Sequence, residues 1–432
     1  MPHHAEQLAD LFHNFSNTST KFSLIGNAKS YGDNYLSKKI ISLDRFPRKI
    51  SYSQQDNSIT ASANITIFEI LLFLVKYNRK LAVIPGTKYV TLSGALSNNV
   101  HGKNCFVNGS IGEHVKNFKI MIPSGEILLC SRFNNQDLFY SVIGGFGLLG
   151  CILEVTLETT PLTSLQYKTK NIKLNNLRET LLLGDSSLEE SQYLIANVDN
   201  LTNQKRSSTI LSISSTHDND TKQFKAKNSN FDFKEVLNRK NYKYTQVIIN
   251  RYTLYLFNKL YFNLLPTREK VETLEQLNYL MDLNLPFYNK LFRNGFYEYQ
   301  VIVEHTQSLK CFKEIRQLQH QYKNFSYMSA LKWYRRQEDP FLNNFSSKNG
   351  HSMTYDIPKS AGNAQEQYNF FLRLNDLLIK HGGRVYLAKS SPITKEQLFE
   401  MYPYIKDLLV LKQKYDPKEV LSTSMFERIM KL

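Results

Sequence analysis

The sequence predicts an α+β protein of two domains, and three observations support this prediction. The chain has 432 residues, a length at which roughly two to three domains are expected. Before about residue 160, short apolar stretches alternate with amphipathic ones, which is typical of strands and helices mixed in one domain. After Pro161 glycine becomes rare and longer mixed segments begin. We therefore expect domains over 1–164 and 165–383, with 384–432 returning to the first.

The first domain is expected to combine short strands with two helices. Ile67–Asn78 has the length and the apolar face of a helix, and Asp137–Ile143 is a shorter candidate. The segment Pro-Ser-Gly-Glu at 123–126 predicts a hairpin between two of the strands. The expected strands are Phe22–Ile25, Ile40–Leu43, Ile59–Ala63, Leu81–Ile84, Phe118–Ile122, Ile127–Leu129 and Cys151–Thr159.

Glycine, which marks turns, is rarer in the second domain, so the elements of this domain are predicted from length and periodicity. Helices are expected at Arg268–Leu283, Leu309–Gln321 and Gln365–His381, the last stopped by Gly382 and Gly383. Two stretches, Ser214–Asn230 and Gln337–Gly350, have the composition of loops. The expected strands are Tyr297–Glu304, Ser326–Trp333, Met353–Ile357 and, beyond the domain, Arg384–Lys389.

Composition excludes several classes of protein. Hydrophobic residues make up 42% of the chain and aromatic residues 12%, which argues against disorder. No stretch approaches the roughly 20 apolar residues of a membrane span, and the first residues lack the pattern of a secretory signal. The four cysteines form no CxxC pair, which favours free, buried thiols in a reducing compartment such as the cytoplasm.

The formal net charge of +16 allows three interpretations. The charge can be an ordinary solvated surface, or it can attract anionic substrates or an anionic membrane face. Nucleic-acid binding is disfavoured, because the basic residues are spread along the chain and no known nucleic-acid-binding motif is present.

The segment Pro85–Val115 carries the strongest functional signal. It is crowded with Gly, Ser, Thr and Asn, yet it lies between two apolar stretches. Glycine lets backbone approach a ligand closely, and short polar side chains supply hydrogen bonds. The turn Gly26–Asp33 adds a lysine and a serine between glycines, a pattern that can bind a pyrophosphate. Together the two segments predict the wall of a cofactor site.

Other motifs are weaker. Gly145–Gly150 fits GxGxxG, but its order of helix before and strand after is the reverse of a dinucleotide-binding unit. A close-packed turn is the better interpretation. No HExxH, CxxC or GxSxG spacing occurs, so we predict no metal and no hydrolase nucleophile of that type. His101 is followed by Gly102 and Lys103 within the polar segment, which favours a ligand contact, whereas His114 is assigned a structural role. Lys389 ends an apolar stretch, where it is either a surface lysine or a substrate contact.

Taken together, these segments resemble the FAD-binding fold of the vanillyl-alcohol oxidase / para-cresol methylhydroxylase superfamily, and within it the decaprenylphosphoryl-β-D-ribose 2-oxidase family. The family pattern G-x-A-R-S-Y-G-D is matched by Gly26–Asp33, with Lys29 in place of arginine. The run P-G-T-x-x-V-T-x-G-G-A-I is matched from Pro85 to Leu96. Further matches are His101–Asn104, Gly109–Val115, Gly144–Gly150, Tyr386–Lys389, Met401–Pro403 and Asp416-Pro417.

The resemblance implies that the first domain binds FAD and that the second is an antiparallel-sheet substrate domain. Members that tether FAD through a histidine carry it where this chain has Lys29, so non-covalent FAD is expected. The implied FAD-binding residues are Gly26, Lys29, Ser30, Tyr31, Gly32, Gly86, Thr91, Leu92, Ser93, Gly94, Asn98, Asn99, Val100, His101, Ile152 and Tyr386.

For the substrate, the resemblance implies oxidation of a sugar secondary hydroxyl to a ketone, with hydride transfer to flavin N5. The implied catalytic residues are Lys389, His101 and Lys103, and the implied substrate-binding residues are Gln300, Lys332, Ser352 and Thr354. Three positions of the implied substrate pocket depart from the family pattern: an Asn and a Cys become Ser352 and Thr354, and a Gln becomes Glu298. These changes leave the exact sugar and its lipid tail open.

Two alternatives stay open at this point. The chain can be a soluble aldonolactone or polyol oxidase of the same fold, or a flavoprotein that binds or transfers electrons without oxidising a sugar. The family resemblance itself implies the oxidase half of a polyprenyl-phosphate pentose 2-epimerisation. In that case a short-chain reductase completes the epimerisation, and a quinone or other acceptor reoxidises the flavin. A cytoplasmic chain with this charge can also contact the inner membrane face, and no nucleic-acid partner is expected.

Overall fold

The computed structural model describes residues 1–202, 208–217, 250–264, 267–284, 292–341, 349–360, 362–390 and 392–431. The chain divides into two compact units. Unit 1 comprises Met1–Leu162, Arg336–Lys348 and Arg384–Leu432, and unit 2 comprises Thr163–Arg335 and Asn349–Gly383. The sequence analysis assigned Arg336–Lys348 to the second domain, whereas the structure groups it with unit 1.

Unit 1 is built on an antiparallel sheet whose strand order is β3-β4-β8-β6-β7, with β5 also paired to β8. A separate parallel pair is formed by β1 and β2. The strands are β1 (Ser23–Ile25), β2 (Ile40–Ser42), β3 (Ile50–Ser53), β4 (Ser58–Ser62), β5 (Arg79–Leu81), β6 (Val115–Met121), β7 (Ile127–Ser131) and β8 (Cys151–Pro161). The helices are α1 (Ala5–Asn17), α2 (Ile67–Val75), α3 (Leu92–Ser97), α4 (Cys105–Asn108) and α5 (Gln136–Val142), with a 3₁₀ turn at Ile111–His114.

Local chemistry explains where α2 begins. The Thr66 hydroxyl accepts a hydrogen bond from the Glu69 amide, and the Glu69 carboxylate accepts one from the Thr66 amide. This capping box satisfies two backbone donors that the first turn of a helix leaves open. The apolar side chains Ile67, Ile70 and Leu74 are then buried.

Unit 2 is built on a second antiparallel sheet, of order β12-β9-β11-β10-β14-β15-β13. The strands are β9 (Gln166–Leu174), β10 (Tyr193–Val198), β11 (Thr209–Thr216), β12 (Arg268–Thr273), β13 (Phe296–Glu304), β14 (Met328–Tyr334) and β15 (Gly350–Pro358). The helices are α6 (Leu177–Ser186), α7 (Arg251–Leu264), α8 (Leu274–Asn278), α9 (Leu280–Asn284), α10 (His305–Gln321) and α11 (Ala364–Lys380).

Helices pack on one face of this sheet. Tyr299 of β13 contacts Phe371 of α11, with ring centroids 5.3 Å apart. On β14 the Trp333 ring lies directly against Gly184 of α6, where any larger side chain would overlap it. Since side chains alternate along a strand, residues next to Tyr299 and Trp333 point to the other face.

The C-terminal part of unit 1 contains two helices, α12 (Lys395–Met401) and α13 (Ile405–Tyr415), and a π-helical turn at Phe426–Met430. The Lys412 ammonium of α13 is buried and donates to the Asp416 carboxylate at 2.7 Å and to the Leu148 and Leu421 carbonyls. Leu421 in turn packs with Phe22 and with Leu8 of α1.

No helix in the described part of the chain has the length and apolar character that a bilayer crossing requires.

The structure confirms the α+β class and most predicted elements, but it corrects three. Arg268–Leu283 is not one helix, because its first six residues form β12 and pair with β9 along the sheet edge. In Leu81–Ile84 only Leu81 lies in a strand. The expected strand Arg384–Lys389 is limited to Arg384–Val385.

The predicted loops are only partly described. In Ser214–Asn230, the first three residues belong to β11, and 218–230 lie outside the described residues. In Gln337–Gly350, 342–348 lie outside them, and Gly350 begins β15. All four cysteines are buried, as predicted.

Candidate active site

The two glycine-bearing segments of unit 1 meet. A side chain at Gly26 would collide with the Thr91 hydroxyl, so glycine is what allows this approach. The Asn27 side-chain amide donates to the Tyr89 carbonyl at 2.8 Å and joins the segments a second time. Ala28 has φ +48°, a left-handed conformation that costs a non-glycine residue energy. The first segment is thus held in a strained turn against the second.

The second segment contains a short helix that the sequence analysis did not predict. The Thr91 hydroxyl accepts a hydrogen bond from the Gly94 amide at 3.2 Å and caps α3, whose first residues are Leu92 and Ser93. Ser93 also donates its amide to the Ala63 carbonyl. The segment is rich in Ser and Gly and its apolar residues show no helical periodicity, so the sequence did not predict this six-residue helix.

The GxGxxG match is a turn packed against this helix. The Gly144 amide donates to the Leu96 carbonyl at 3.0 Å, and the Phe146 amide donates to the Ser97 carbonyl at 2.9 Å. Gly147 has φ +73°. The turn therefore supports α3 from behind, in agreement with the interpretation as a close-packed turn.

Buried amide side chains surround the end of α3. Asn34 donates to the Asn98 side-chain oxygen at 2.6 Å, and the Asn99 side-chain oxygen accepts from the Gly112 amide at 3.1 Å. Two buried atoms of these amides, the Asn34 Oδ1 and the Asn99 Nδ2, have no hydrogen-bond partner among the residues that the structure describes. Asn34 was missed by the sequence analysis, although it directly follows the Gly26–Asp33 motif.

An aromatic pair lies beside these amides. The His101 and Tyr386 rings are 4.8 Å apart at 59°, and both side chains are buried. The Tyr386 hydroxyl donates to the Asn98 carbonyl at 2.8 Å. Burial raises the pKa of the Tyr386 phenol well above its ordinary value, so this side chain stays a neutral donor.

Lysine side chains lie over aromatic rings of both segments. The Lys389 ammonium is 4.6 Å from the centre of the Tyr31 ring, and the Lys29 ammonium is 5.4 Å from that of Tyr89. A Cβ at Gly32 would come within 2.5 Å of the Lys389 carbonyl oxygen, so the C-terminal segment also contacts the first glycine turn. Lys389 is half-buried, and so is Lys103, which follows His101 on the chain.

These features fit a flavin nucleotide. A Cβ at Gly86 would meet no atom within 4 Å, so the backbone there borders open space. The partnerless amide atoms of Asn34 and Asn99 are buried, where a ligand can satisfy them. Ile152, another predicted FAD-binding residue, lies buried in β8 opposite Ile120. The contacts of all these residues with FAD stay predictions.

In unit 2, the predicted substrate-binding residues share one face of the sheet. Gln300 of β13 lies opposite Thr354 of β15, and Lys332 of β14 lies opposite Ser352 of β15. The Gln300 side-chain amide donates to the Ser352 hydroxyl at 3.0 Å and to the Tyr334 hydroxyl at 3.3 Å. We call Gln300, Lys332, Tyr334, Ser352 and Thr354 the polar face.

The polar face is opposite to the helix-covered face of the same sheet. Gln300 and Ser352 are each 1% exposed, whereas Lys332 and Thr354 are half-buried. Glu298, which departs from the family pattern, lies two residues before Gln300 and points to the same side. Tyr334 was missed by the sequence analysis, because a tyrosine that ends a buried strand gives no signal of its own.

Comparison with known families agrees with this architecture. Residues 1–131 match the model of an FAD binding domain, and residues 155–429 match that of the D-arabinono-1,4-lactone oxidases. The chain belongs to the D-arabinono-1,4-lactone oxidase family of FAD-linked oxidoreductases. It is an FAD-dependent oxidoreductase that acts on a sugar-type substrate.

Individual relatives have two kinds of activity. The chain is 26% identical over 415 residues to the decaprenylphosphoryl-beta-D-ribose oxidase of Mycolicibacterium smegmatis, covering 94% of this chain and 88% of that protein. It is 27% identical over 143 residues to a D-arabinono-1,4-lactone oxidase of Yarrowia lipolytica, covering 32% of this chain and 27% of the relative. It is 26% identical over 154 residues to the L-gulonolactone oxidase of Bos taurus, covering 36% and 34%.

Proposed function

We propose that this protein oxidises a secondary hydroxyl of a polyprenyl-phosphate pentose to a ketone, as the oxidase half of a 2-epimerisation. The similarity to a decaprenylphosphoryl-beta-D-ribose oxidase supports this, because it extends over both units. The proposal includes the two-domain arrangement of the vanillyl-alcohol oxidase / para-cresol methylhydroxylase superfamily, with FAD held by unit 1.

Unit 1 would hold FAD through backbone and short polar groups. Residues 29–32 and 91–94 would bind the diphosphate, with the Lys29 ammonium adding positive charge. Asn98–His101 and Tyr386 would contact the ring system. Since Lys29 replaces the histidine that tethers FAD in other members, the cofactor is expected to be non-covalent.

Lys389 carries the chemical part of the proposal. Its carbonyl lies against Gly32 and its ammonium lies over Tyr31, so a cation stands next to the first glycine turn. FAD, when bound, supplies the acceptor for the carbinol hydride. Lys389 would hold the reacting hydroxyl or, as a neutral amine, take up its proton, while His101 and Lys103 would orient the sugar.

The polar face would supply further sugar contacts. Gln300, Ser352 and Thr354 offer amide and hydroxyl groups, which are suited to a polyol. Lys332 adds a positive charge, which favours a phosphorylated sugar over a neutral one.

A second candidate is an aldonolactone oxidase, as the matched family model and two of the named relatives are lactone oxidases. Anaerobic titration separates the two. The FAD-loaded protein is mixed with farnesylphosphoryl-β-D-ribose, with D-arabinono-1,4-lactone or with L-gulono-1,4-lactone, and the loss of flavin absorbance is followed. Bleaching by the phosphoryl-ribose supports our proposal, and bleaching by lactones alone would replace it with the second candidate.

We also propose the partners that follow from this reaction. A short-chain reductase would reduce the ketone to the epimer, and a quinone or similar acceptor would reoxidise the flavin. The cytoplasmic protein would contact the inner membrane face through its excess of positive charge. Flotation with anionic vesicles tests this, since binding at low salt should be lost at high salt, and binding to neutral vesicles alone would contradict it.

A further inference from the structure

Three side chains on the helix-covered side of the unit 2 sheet converge. Asp185 is near the end of α6, His305 begins α10, and His351 is the second residue of β15. The His305 Nε2 lies 2.8 Å from the Asp185 Oδ2, and the His351 Nε2 lies 3.0 Å from the Asp185 Oδ1. None of the three is used by the proposed oxidation.

The spacing of these groups suits one metal ion. The three donor atoms, one from each side chain, all lie within 4.8 Å of one another. Donor atoms bound at about 2.1 Å to a common ion are about 3 to 3.5 Å from one another. The three donor atoms would therefore have to move only slightly closer together to bind one ion. The His305 side chain is 54% exposed and can rotate to provide it, whereas the His351 side chain is 2% exposed and fixed.

The Asp185 carboxylate is also held in place by a hydrogen bond from a neighbouring side chain. The Trp333 indole N–H donates to the Asp185 Oδ1 at 3.0 Å, the kind of outer contact that orients metal ligands. The Trp333 ring can approach because the residue before Asp185 is Gly184, where a Cβ would overlap the ring. The exposed side of the cluster, at His305, leaves room for water as a further ligand.

We propose that Asp185, His305 and His351 form a binding site for a divalent first-row transition ion such as Zn²⁺ or Ni²⁺. Two imidazoles and one carboxylate are donors that such ions prefer, whereas Mg²⁺ and Ca²⁺ prefer oxygen donors alone. The ion would join α6, α10 and β15 and so cross-link unit 2. The sequence analysis predicted no metal because the ligands are 120 and 46 residues apart and form no spacing motif.

The test uses Trp333, which is the chain's single tryptophan. Ni²⁺ quenches indole fluorescence at short range, so the FAD-loaded protein is titrated with Ni²⁺ and then with Zn²⁺ as a competitor. We expect quenching that saturates at one equivalent, reverses with Zn²⁺ and does not occur with Mg²⁺. His305→Ala should weaken Ni²⁺ binding by more than about tenfold, since even loss of an outer contact costs this much.

His4→Ala is the matched control. The His4 side chain is 52% exposed and pairs with a carboxylate, that of Glu6, at 2.7 Å. Within the described ranges of the chain, this pair belongs to no group of three potential metal ligands. This variant should bind Ni²⁺ like the unaltered protein. Absence of saturable quenching in the unaltered protein, or equal quenching in His305→Ala, would overturn the proposal.

Discussion

The candidate FAD site of unit 1 and the polar face of unit 2 are assembled in different ways. In unit 1, most of the predicted contacts come from two continuous segments, Gly26–Asp33 and Pro85–Val115. In unit 2, the polar face takes single residues from three strands, and Gln300 and Ser352 are 52 residues apart. A site built from backbone and turns leaves a readable motif, whereas a site built from alternate residues of paired strands does not.

The largest expected effect tests chemistry in unit 1. Lys389→Ala should retain bound FAD but lower the rate of flavin bleaching by substrate about 10²- to 10⁴-fold, as is typical when a proton-transferring group is removed. Stopped-flow absorbance measures this rate. Lys406→Ala, which removes an exposed lysine of the same C-terminal segment, is the control and should bleach normally. A normal rate in Lys389→Ala would refute the role of this lysine.

The next effect concerns the stability of unit 1. Lys412→Met leaves the Asp416 carboxylate buried without its cation, and breaking a buried pair in this way costs about 3–5 kcal/mol. Denaturant unfolding measures the free energy. Lys414→Met, two residues later in α13, removes an exposed lysine and should change stability little. Equal stabilities for the two variants would contradict the account of Lys412.

In unit 2, Lys332→Gln tests whether the polar face distinguishes a charged substrate from a neutral one. Hydrogen bonds to charged groups contribute about 1.5–3 kcal/mol, so KM for a phosphorylated pentose should rise about ten- to hundredfold. KM for a neutral lactone should hardly change. Lys168→Gln, an exposed lysine of β9, serves as the control. A similar loss for both substrates would mean that Lys332 supports the fold of the face and not its charge selectivity.

The smallest effect isolates the backbone of the FAD site. Gly86→Leu adds a side chain where a Cβ meets no protein atom, so the melting temperature of the apoprotein should not change. The added side chain should crowd the bound nucleotide, which costs about 1–3 kcal/mol of binding free energy and lowers the affinity for FAD about ten- to hundredfold. Gly362→Leu in unit 2, equally unobstructed, should bind FAD normally. Unaltered FAD affinity in Gly86→Leu would remove Gly86 from the site.

The same contrast explains how much could be predicted. The α+β class and the long periodic elements, such as α2 and β8, follow from apolar spacing, and the joining of Gly26 to the second segment follows from the motifs. The strand β12 was mistaken for helix because pairing with β9 overrides local preference. The contacts of Asn34, Tyr334 and Asp185 depend on residues distant in sequence, which no local pattern records.

One measurement tests the central claim that the glycine-bearing segments of unit 1 bind FAD. The purified protein is incubated with FAD, desalted, and examined by absorbance before and after denaturation. We predict that one equivalent of flavin stays with the folded protein and is released completely when it unfolds. A preparation that is colourless after desalting would contradict the account, and flavin that stays attached to the unfolded chain would contradict non-covalent binding.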